Sequence, residues 1–243
     1  MTERGRRGNG SPPGTVAGEA AHSARLLGFL RKLPHDFGNA ILPFRIAGDL
    51  LRRADGDPAV VDQVARILDD QSAHAQRLID DIERTSRVLR GELVSRPRRC
   101  DLEEVVAQGI DAARRQSSPS IEISLTKPAE PIEVQADATQ LAAAIEELVD
   151  NAARFAGNKP IRVEVVRDAD HAVVYVRDQG PGIAPDRIDQ IFEPFVAADT
   201  VDSGWGIGLG FVRLVASNHR GTVAAAPGDD GDGLVMTLRL PLR

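Results

Sequence analysis

The segment Asp178-Gln179-Gly180-Pro181-Gly182-Ile183 places a carboxylate just before two glycines, whose missing Cβ atoms free the backbone for close approach by another group. Further on, Gly204-Trp205-Gly206-Ile207-Gly208-Leu209-Gly210 leads directly into a helical pattern. A glycine-rich entry to a helix presents backbone N–H groups to anions such as phosphates. The spacing is not that of a dinucleotide-binding turn, because counting from Gly204 or Gly206 puts Leu209 or Phe211 where the final glycine is required. Nor is it a P-loop, since no Gly-Lys-Ser/Thr occurs. Upstream, Glu147, Asn151 and Arg154 advance in step with the apolar set Leu141, Ile145, Leu148, Ala152 and Phe155, so a polar ridge adjoins a packing face. Such a ridge ordinarily meets only solvent; here the two glycine segments follow it.

The second chemistry is that of imidazole. Of the five histidines, His22, His74 and His171 read as ordinary surface or packed residues. His35 differs. It lies two residues from both Leu33 and Phe37, about 200° around a helix of 3.6 residues per turn, and so faces away from the apolar stripe. Asp36 adjoins it, and Asn39 lies one turn further on the same face. An imidazole is a usable nucleophile near neutral pH, and a neighbouring carboxylate can orient it or take its proton.

Hydrophobic periodicity supplies the elements that must hold these groups. From His22 to Ala54 the residues Leu26, Leu30, Leu33, Phe37, Ile41, Phe44 and Leu51 recur at helical spacing and predict an amphipathic helix. Asp55-Gly56-Asp57-Pro58 predicts a turn, with Asp57 as N-cap and Pro58 at the first helical position. Val60, Val64, Ile67, Leu68, Leu78, Ile82 and Leu89 predict a second helix to about Leu89. One hairpin covers only part of each stripe, and pairing two into a four-helix bundle covers the rest, so a homodimer is expected.

After Gly91 the pattern changes to shorter elements. Strands are expected over Glu92–Ser95, Ile121–Leu125, Ile132–Gln135, Ile161–Arg167 and Ala172–Val176, with a final hairpin of Thr222–Ala226 and Leu234–Leu240. Helices are expected over Leu102–Arg114, Ala138–Phe155 and Val212–Asn218. The chain is therefore read as α+β: a disordered tail over 1–20, rich in Gly, Pro, Ser and Arg, a helical hairpin over 21–91 and an α/β sandwich domain over 92–243.

Composition narrows the function classes. The 243 residues suffice for two small domains, and 42% hydrophobic with 27% charged residues is ordinary for a chain with a core. Seven Phe, one Tyr and one Trp leave the core to aliphatic residues and make aromatic platforms for single-stranded nucleic acid improbable. A net charge of -6 with both signs interspersed argues against a polyanion-binding surface, so nucleic acid is not an expected partner. The lone Cys100 excludes an internal disulfide or a cysteine-based zinc site and suits a reducing cytoplasm. No apolar run approaches the roughly 18 residues needed to span a bilayer, and MTERGRRGNGSPPG lacks the apolar core of a secretory signal. A cytoplasmic protein is expected.

Taken in order, these segments resemble the ATPase module shared by sensor histidine kinases, gyrases, heat-shock chaperones and mismatch-repair proteins. Glu147-Leu148-Val149-Asp150-Asn151-Ala152-Ala153-Arg154-Phe155 is similar to the family's N box, Asp178 to Ile183 to its first glycine box, Ile191-Phe192-Glu193-Pro194-Phe195 to its F box, and Gly204 to Gly210 to its second glycine box. His219-Arg220-Gly221 falls where histidine kinases usually carry His-Gly-Gly. His35-Asp36-Phe37-Gly38-Asn39 resembles the phosphoacceptor box of dimerising-helix histidine kinases, and Gly91-Glu92-Leu93 with Cys100-Asp101-Leu102 resembles the joint between hairpin and ATPase.

The resemblance implies a two-component histidine kinase with ATP and Mg²⁺ as cofactors. It makes Asp178 the acceptor for the adenine amino group, Gly180, Gly182, Gly204, Gly206, Gly208 and Leu209 the nucleotide cradle, Asn151 a Mg²⁺ ligand and Arg154 a phosphate contact. Glu147 would act beside the metal or as a base. His35 would accept the phosphoryl group with Asp36 as its base, and Asn39 would position water for dephosphorylating a response regulator. The rival readings are a phosphotransfer or scaffold protein of the same shape without useful ATP binding, and a plain ATPase or serine kinase.

Two departures carry expectations of their own. Pro34, just before His35, costs a mid-helix hydrogen bond and roughly 3 kcal/mol or more, which predicts a kink or a helix restart there; Pro43 adds to the local bending. The segment Val196 to Ser203 contains Asp199 and Asp202 but no Lys or Arg, where relatives often place a basic residue. Carboxylates near a triphosphate weaken its binding unless they point outward, which predicts slow kinase activity or dominant phosphatase activity.

Overall fold

Asp57 begins the second helix as its composition demands: its carboxylate Oδ1 accepts the Ala59 N–H at 2.9 Å, and its carbonyl accepts the N–H of Val61. The computed structural model describes residues 13–53, 57–91, 93–116, 121–196, 206–228 and 233–242, apart from the side chains of some helical residues, Asp36 and His74 among them. The chain divides into two compact units, residues 1–76 and 77–243. The division falls inside the second helix instead of at the expected Gly91, because the last turns of that helix pack on the second unit's core through Val88.

The first unit holds helix α1, Pro13–Arg53, and helix α2, Pro58–Arg90, up to Gln76. α1 starts earlier than the predicted His22, so the unstructured tail expected over residues 1–20 is corrected from Pro13 onward; residues 1–12 lie outside the described residues. Pro34 and Pro43 both lie within α1, which runs unbroken through them, so no restart occurs at Pro34. The sheltered side of α1 comprises Leu26, Leu33, Phe37, Ala40, Phe44 and Ala47, at alternating steps that keep one face. Leu30, Ile41 and Leu51, predicted for the same stripe, are exposed together with Leu27, Leu42, Ile46 and Leu50. Small Ala40 and Ala47 take the innermost places instead.

The second unit is an α+β sandwich. A five-stranded sheet runs in the order β2-β4-β5-β7-β6, where β2 is Ile123–Thr126, β4 Ile161–Asp168, β5 His171–Arg177, β6 Thr222–Pro227 and β7 Leu234–Pro241. β2 pairs parallel to β4, and the other pairs are antiparallel. Alternate residues Val163, Val165, Ala172, Val174, Val176, Met236, Leu238 and Leu240 form one core with helices α3 (Leu102–Gln116), α4 (Ala138–Phe155) and α5 (Gly208–Asn218). β1 (Arg98–Asp101) and β3 (Glu133–Ala136) make a separate two-stranded ribbon that enters α3 and α4. α3 and α4 approach closely at Gly109, where a Cβ would stand 2.7 Å from the Ala142 carbonyl oxygen.

Of the strand expected over Glu92–Ser95, Glu92 lies outside the described residues and residues 93–95 form none: residues 93–97 are irregular and the strand begins at Arg98. The backbone there is satisfied by side chains. Gln140 Nε2 donates to the Val94 carbonyl, Asn218 Nδ2 to that of Leu93, and Asp137 Oδ2 accepts the Arg96 N–H.

Candidate nucleotide site

Asp178 follows β5 and is 8% exposed. Its Oδ1 accepts two backbone N–H groups, from Gly180 at 2.8 Å and Leu234 at 3.2 Å. Burial pushes its carboxyl above the usual aspartate range, against the opposing pull of those two hydrogen bonds. Because both bonds converge on Oδ1, Oδ2 keeps its acceptor capacity. The glycines around it are required sterically. A Cβ on Gly180 would stand 2.5 Å from the Phe155 carbonyl oxygen at the end of α4, and Gly182 has φ +70° with the Gly233 carbonyl 3.1 Å from where its Cβ would be.

Gly233 packs on the same turn, and no sequence signal marked it. Its φ is +81°, and a Cβ there would overlap the Asp178 backbone carbonyl. The β5–β7 register brings Leu234 beside Asp178, whose N–H donates to the Leu234 carbonyl at 3.1 Å, so the start of β7 floors the Asp178 turn.

The polar ridge of α4 lies where the phase predicted it. Asn151 is half-buried, one turn from Glu147. Arg154 is exposed and donates to Asp150 Oδ2 at 2.7 Å. Glu147 is paired with Arg84 of α2, a partner 63 positions away that no sequence pattern marked.

At the α5 entry, Gly206 has φ +68°, and a Cβ there would stand 2.5 Å from the Val196 carbonyl oxygen. The Gly206 carbonyl accepts the Phe195 N–H at 2.9 Å, which joins the two sides of this segment at its base. Gly208 opens α5, Leu209 packs on the core and Gly210 is buried. Gly204, Trp205, Asp199 and Asp202, and with them the acidic segment after Val196, lie outside the described residues. The F box lies at the end of a 3₁₀ segment, Pro185–Phe192, that the sequence reading did not mark, with Phe192 buried.

His219 is buried and structural. Its Nδ1 donates to the Val215 carbonyl at 2.8 Å, and its Nε2 accepts the Asp137 N–H at 2.8 Å, tying the C-terminus of α5 to the N-cap of α4. Asp137 caps α4 by accepting the Gln140 N–H. In the first unit His35 is exposed on α1, with the Asn39 amide nitrogen 3.4 Å from its Nδ1. Asp36 follows in the helix; its side chain lies outside the described residues.

A buried carboxylate beside sterically required glycines, a half-buried asparagine on the α4 ridge and a glycine-opened helix all lie in the second unit. The sequence model of the family described as Histidine kinase-, DNA gyrase B-, and HSP90-like ATPase matches residues 136–243. The sensor protein CutS of Streptomyces coelicolor is 31% identical over 194 residues, 77% of this chain and 46% of that protein. Two solved structures are similar: the mycobacterial sensor histidine kinase MprB, 28% identical with a TM-score of 0.54 over 60% of this chain and 97% of that one, and full-length ShkA in complex with AMPPNP, 25% identical with a TM-score of 0.63 over 87% and 45%.

Residues 136–243 thus match the histidine-kinase-type ATPase family, and the chain as a whole is similar to sensor histidine kinases. It spans about half the length, or less, of the curated relatives it matches. No helix among the described residues is long and apolar enough to cross a membrane.

Proposed function

We propose that this chain is an ATP-dependent protein histidine kinase that phosphorylates His35 and passes the phosphoryl group to a response-regulator aspartate. The observation that carries the reading is Asp178. Two backbone N–H groups converge on its Oδ1, and its remaining oxygen suits the exocyclic amino group of adenine, whereas guanine would present a carbonyl there. The similar ShkA was solved with the ATP analogue AMPPNP, which supports an adenine nucleotide as ligand.

The phosphates lie, in this reading, against the α5 entry from Gly204 to Leu209, with Arg154 as a further cation. The donor set suits Mg²⁺. Asn151 offers a hard oxygen one turn from the Glu147 carboxylate. Bound Mg²⁺ would supply charge neutralisation at the phosphates. An imidazole nitrogen of His35 attacks the γ-phosphorus, the bond to the β-phosphate oxygen breaks, ADP leaves, and the ring proton passes to Asp36. Asn39 orients the ring or, in the reverse reaction, water.

The reading includes a homodimer through the α1–α2 hairpin, supported by the exposed Leu27, Ile41, Leu42 and Ile46, and a cytoplasmic setting, which the single cysteine suits. Calorimetry tests the ATP site against the relay reading. Wild type is expected to bind Mg·ATP and Asp178→Asn to bind about tenfold or more weakly, since a hydrogen bond to a charged group contributes about 1.5–3 kcal/mol. No heat from wild type would leave a phosphotransfer protein as the better account.

A further inference from the structure

The last turns of α2 meet the ATPase helices at one cation. Arg84 pairs with Glu147 of α4 while its guanidinium lies 5.6 Å from the centroid of the Phe211 ring of α5. The two charged side chains are only 20% and 17% exposed, so this pair is sheltered, unlike the surface pairs of this chain. Arg84 is also the foremost charge opposing the burial that raises the carboxyls of Asp81 and Glu146. Glu147 in turn lies against the first residue of α5, where a Cβ on Gly208 would overlap its carboxylate. A carboxylate therefore sits at a helix entry suited to phosphate, held there by a cation from a different element.

We propose that Arg84 is a positioning residue for the nucleotide site: it engages Glu147 at the α5 entry so that the carboxylate is not available to the metal, and links that state to the seating of residues 77–90 on the ATPase core. The proposal rests on the nucleotide reading above. A triphosphate carrying Mg²⁺ favours an unpaired Glu147, because a hard dication recruits carboxylate oxygen. A metal-free triphosphate does not, because phosphate and carboxylate repel. Mg·nucleotide and the Arg84–Glu147 pair therefore compete, and the coupling is reciprocal.

The test titrates AMPPNP, with and without Mg²⁺, into the full chain as wild type, Arg84→Gln, Arg84→Lys, Glu147→Gln and the double variant R84Q/E147Q, with hydrogen exchange read over residues 77–90. The expected result is that R84Q binds the Mg²⁺ form at least about fivefold more tightly but the metal-free form no more tightly. R84K should return the Mg²⁺ affinity towards wild type, and in the E147Q background the effect of R84Q should shrink below about twofold. Mg·AMPPNP should speed exchange over 77–90 in wild type. Weakening of both nucleotide forms by R84Q would mark Arg84 as a phosphate contact and overturn the proposal, as would unchanged affinities for both. If wild type itself binds neither form, the nucleotide reading falls and this proposal with it; if wild type binds and R84Q matches it, only this proposal falls.

Discussion

At the scale of single residues, Asp178 concentrates the chemistry of the proposed nucleotide site. Its burial raises the carboxyl's affinity for a proton, and two backbone N–H groups offset part of that effect. A protonated carboxyl loses acceptor capacity towards an amine, so binding favours the ionised form. Nucleotide affinity should accordingly fall as pH drops through the raised Asp178 value, and this slope should vanish in Asp178→Asn; calorimetric titrations between neutrality and the ordinary aspartate range check both. A slope retained in the variant would assign the titration to another group. The asparagine oxygen can accept both N–H groups, so the variant should keep its fold. The close backbone packing at Asp178, Gly180 and Gly182 was legible because their types and order carry that requirement. Gly233 and Arg84 were not, because their roles arise from strand register and from an ion pair between distant segments.

At the scale of elements, α4 was legible to both ends, from Ala138 to Phe155, through its 3.6-residue period alone, and the structure adds the Asp137 cap. Residues 93–95 of the expected Glu92–Ser95 strand misled because the carbonyls of Leu93 and Val94 and the N–H of Arg96 are answered by Asn218, Gln140 and Asp137 instead of a partner strand. Asp137 is thus a cap and a clasp at once. Burial pushes its carboxyl up, but the N–H groups of Arg96 and Gln140 outweigh that and hold it below the ordinary aspartate value. Its stabilisation is therefore complete above the ordinary range and is lost as pH falls through the lowered value. Asp137→Ala should cost about 1 kcal/mol at neutral pH in denaturant unfolding, and the difference from wild type should shrink in acid. An undiminished difference in acid would show that the carboxylate charge contributes nothing.

At the scale of the whole molecule, the proposed kinase needs its hairpin paired with a second copy. Ile41 and Ile46, 56% and 50% exposed, should be covered in that dimer. Sedimentation equilibrium should find wild type dimeric and the double variant Ile41→Glu/Ile46→Glu largely monomeric, with helical circular dichroism unchanged. A wild type that is monomeric at micromolar concentration would remove the dimer from the account. The pattern changes from helical stripes to short mixed elements after Gly91, whereas the division between the two compact units follows Gln76, inside α2, which continues across it as one helix.

The central claim is transfer from ATP to His35, and incubation of the full chain with γ-labelled ATP and Mg²⁺ tests it most directly. Wild type should acquire an acid-labile, alkali-stable label that maps to the His35 peptide, and His35→Ala should acquire none while still binding nucleotide. Label of equal amount on His35→Ala, or no label on a wild type that binds ATP, would contradict the account.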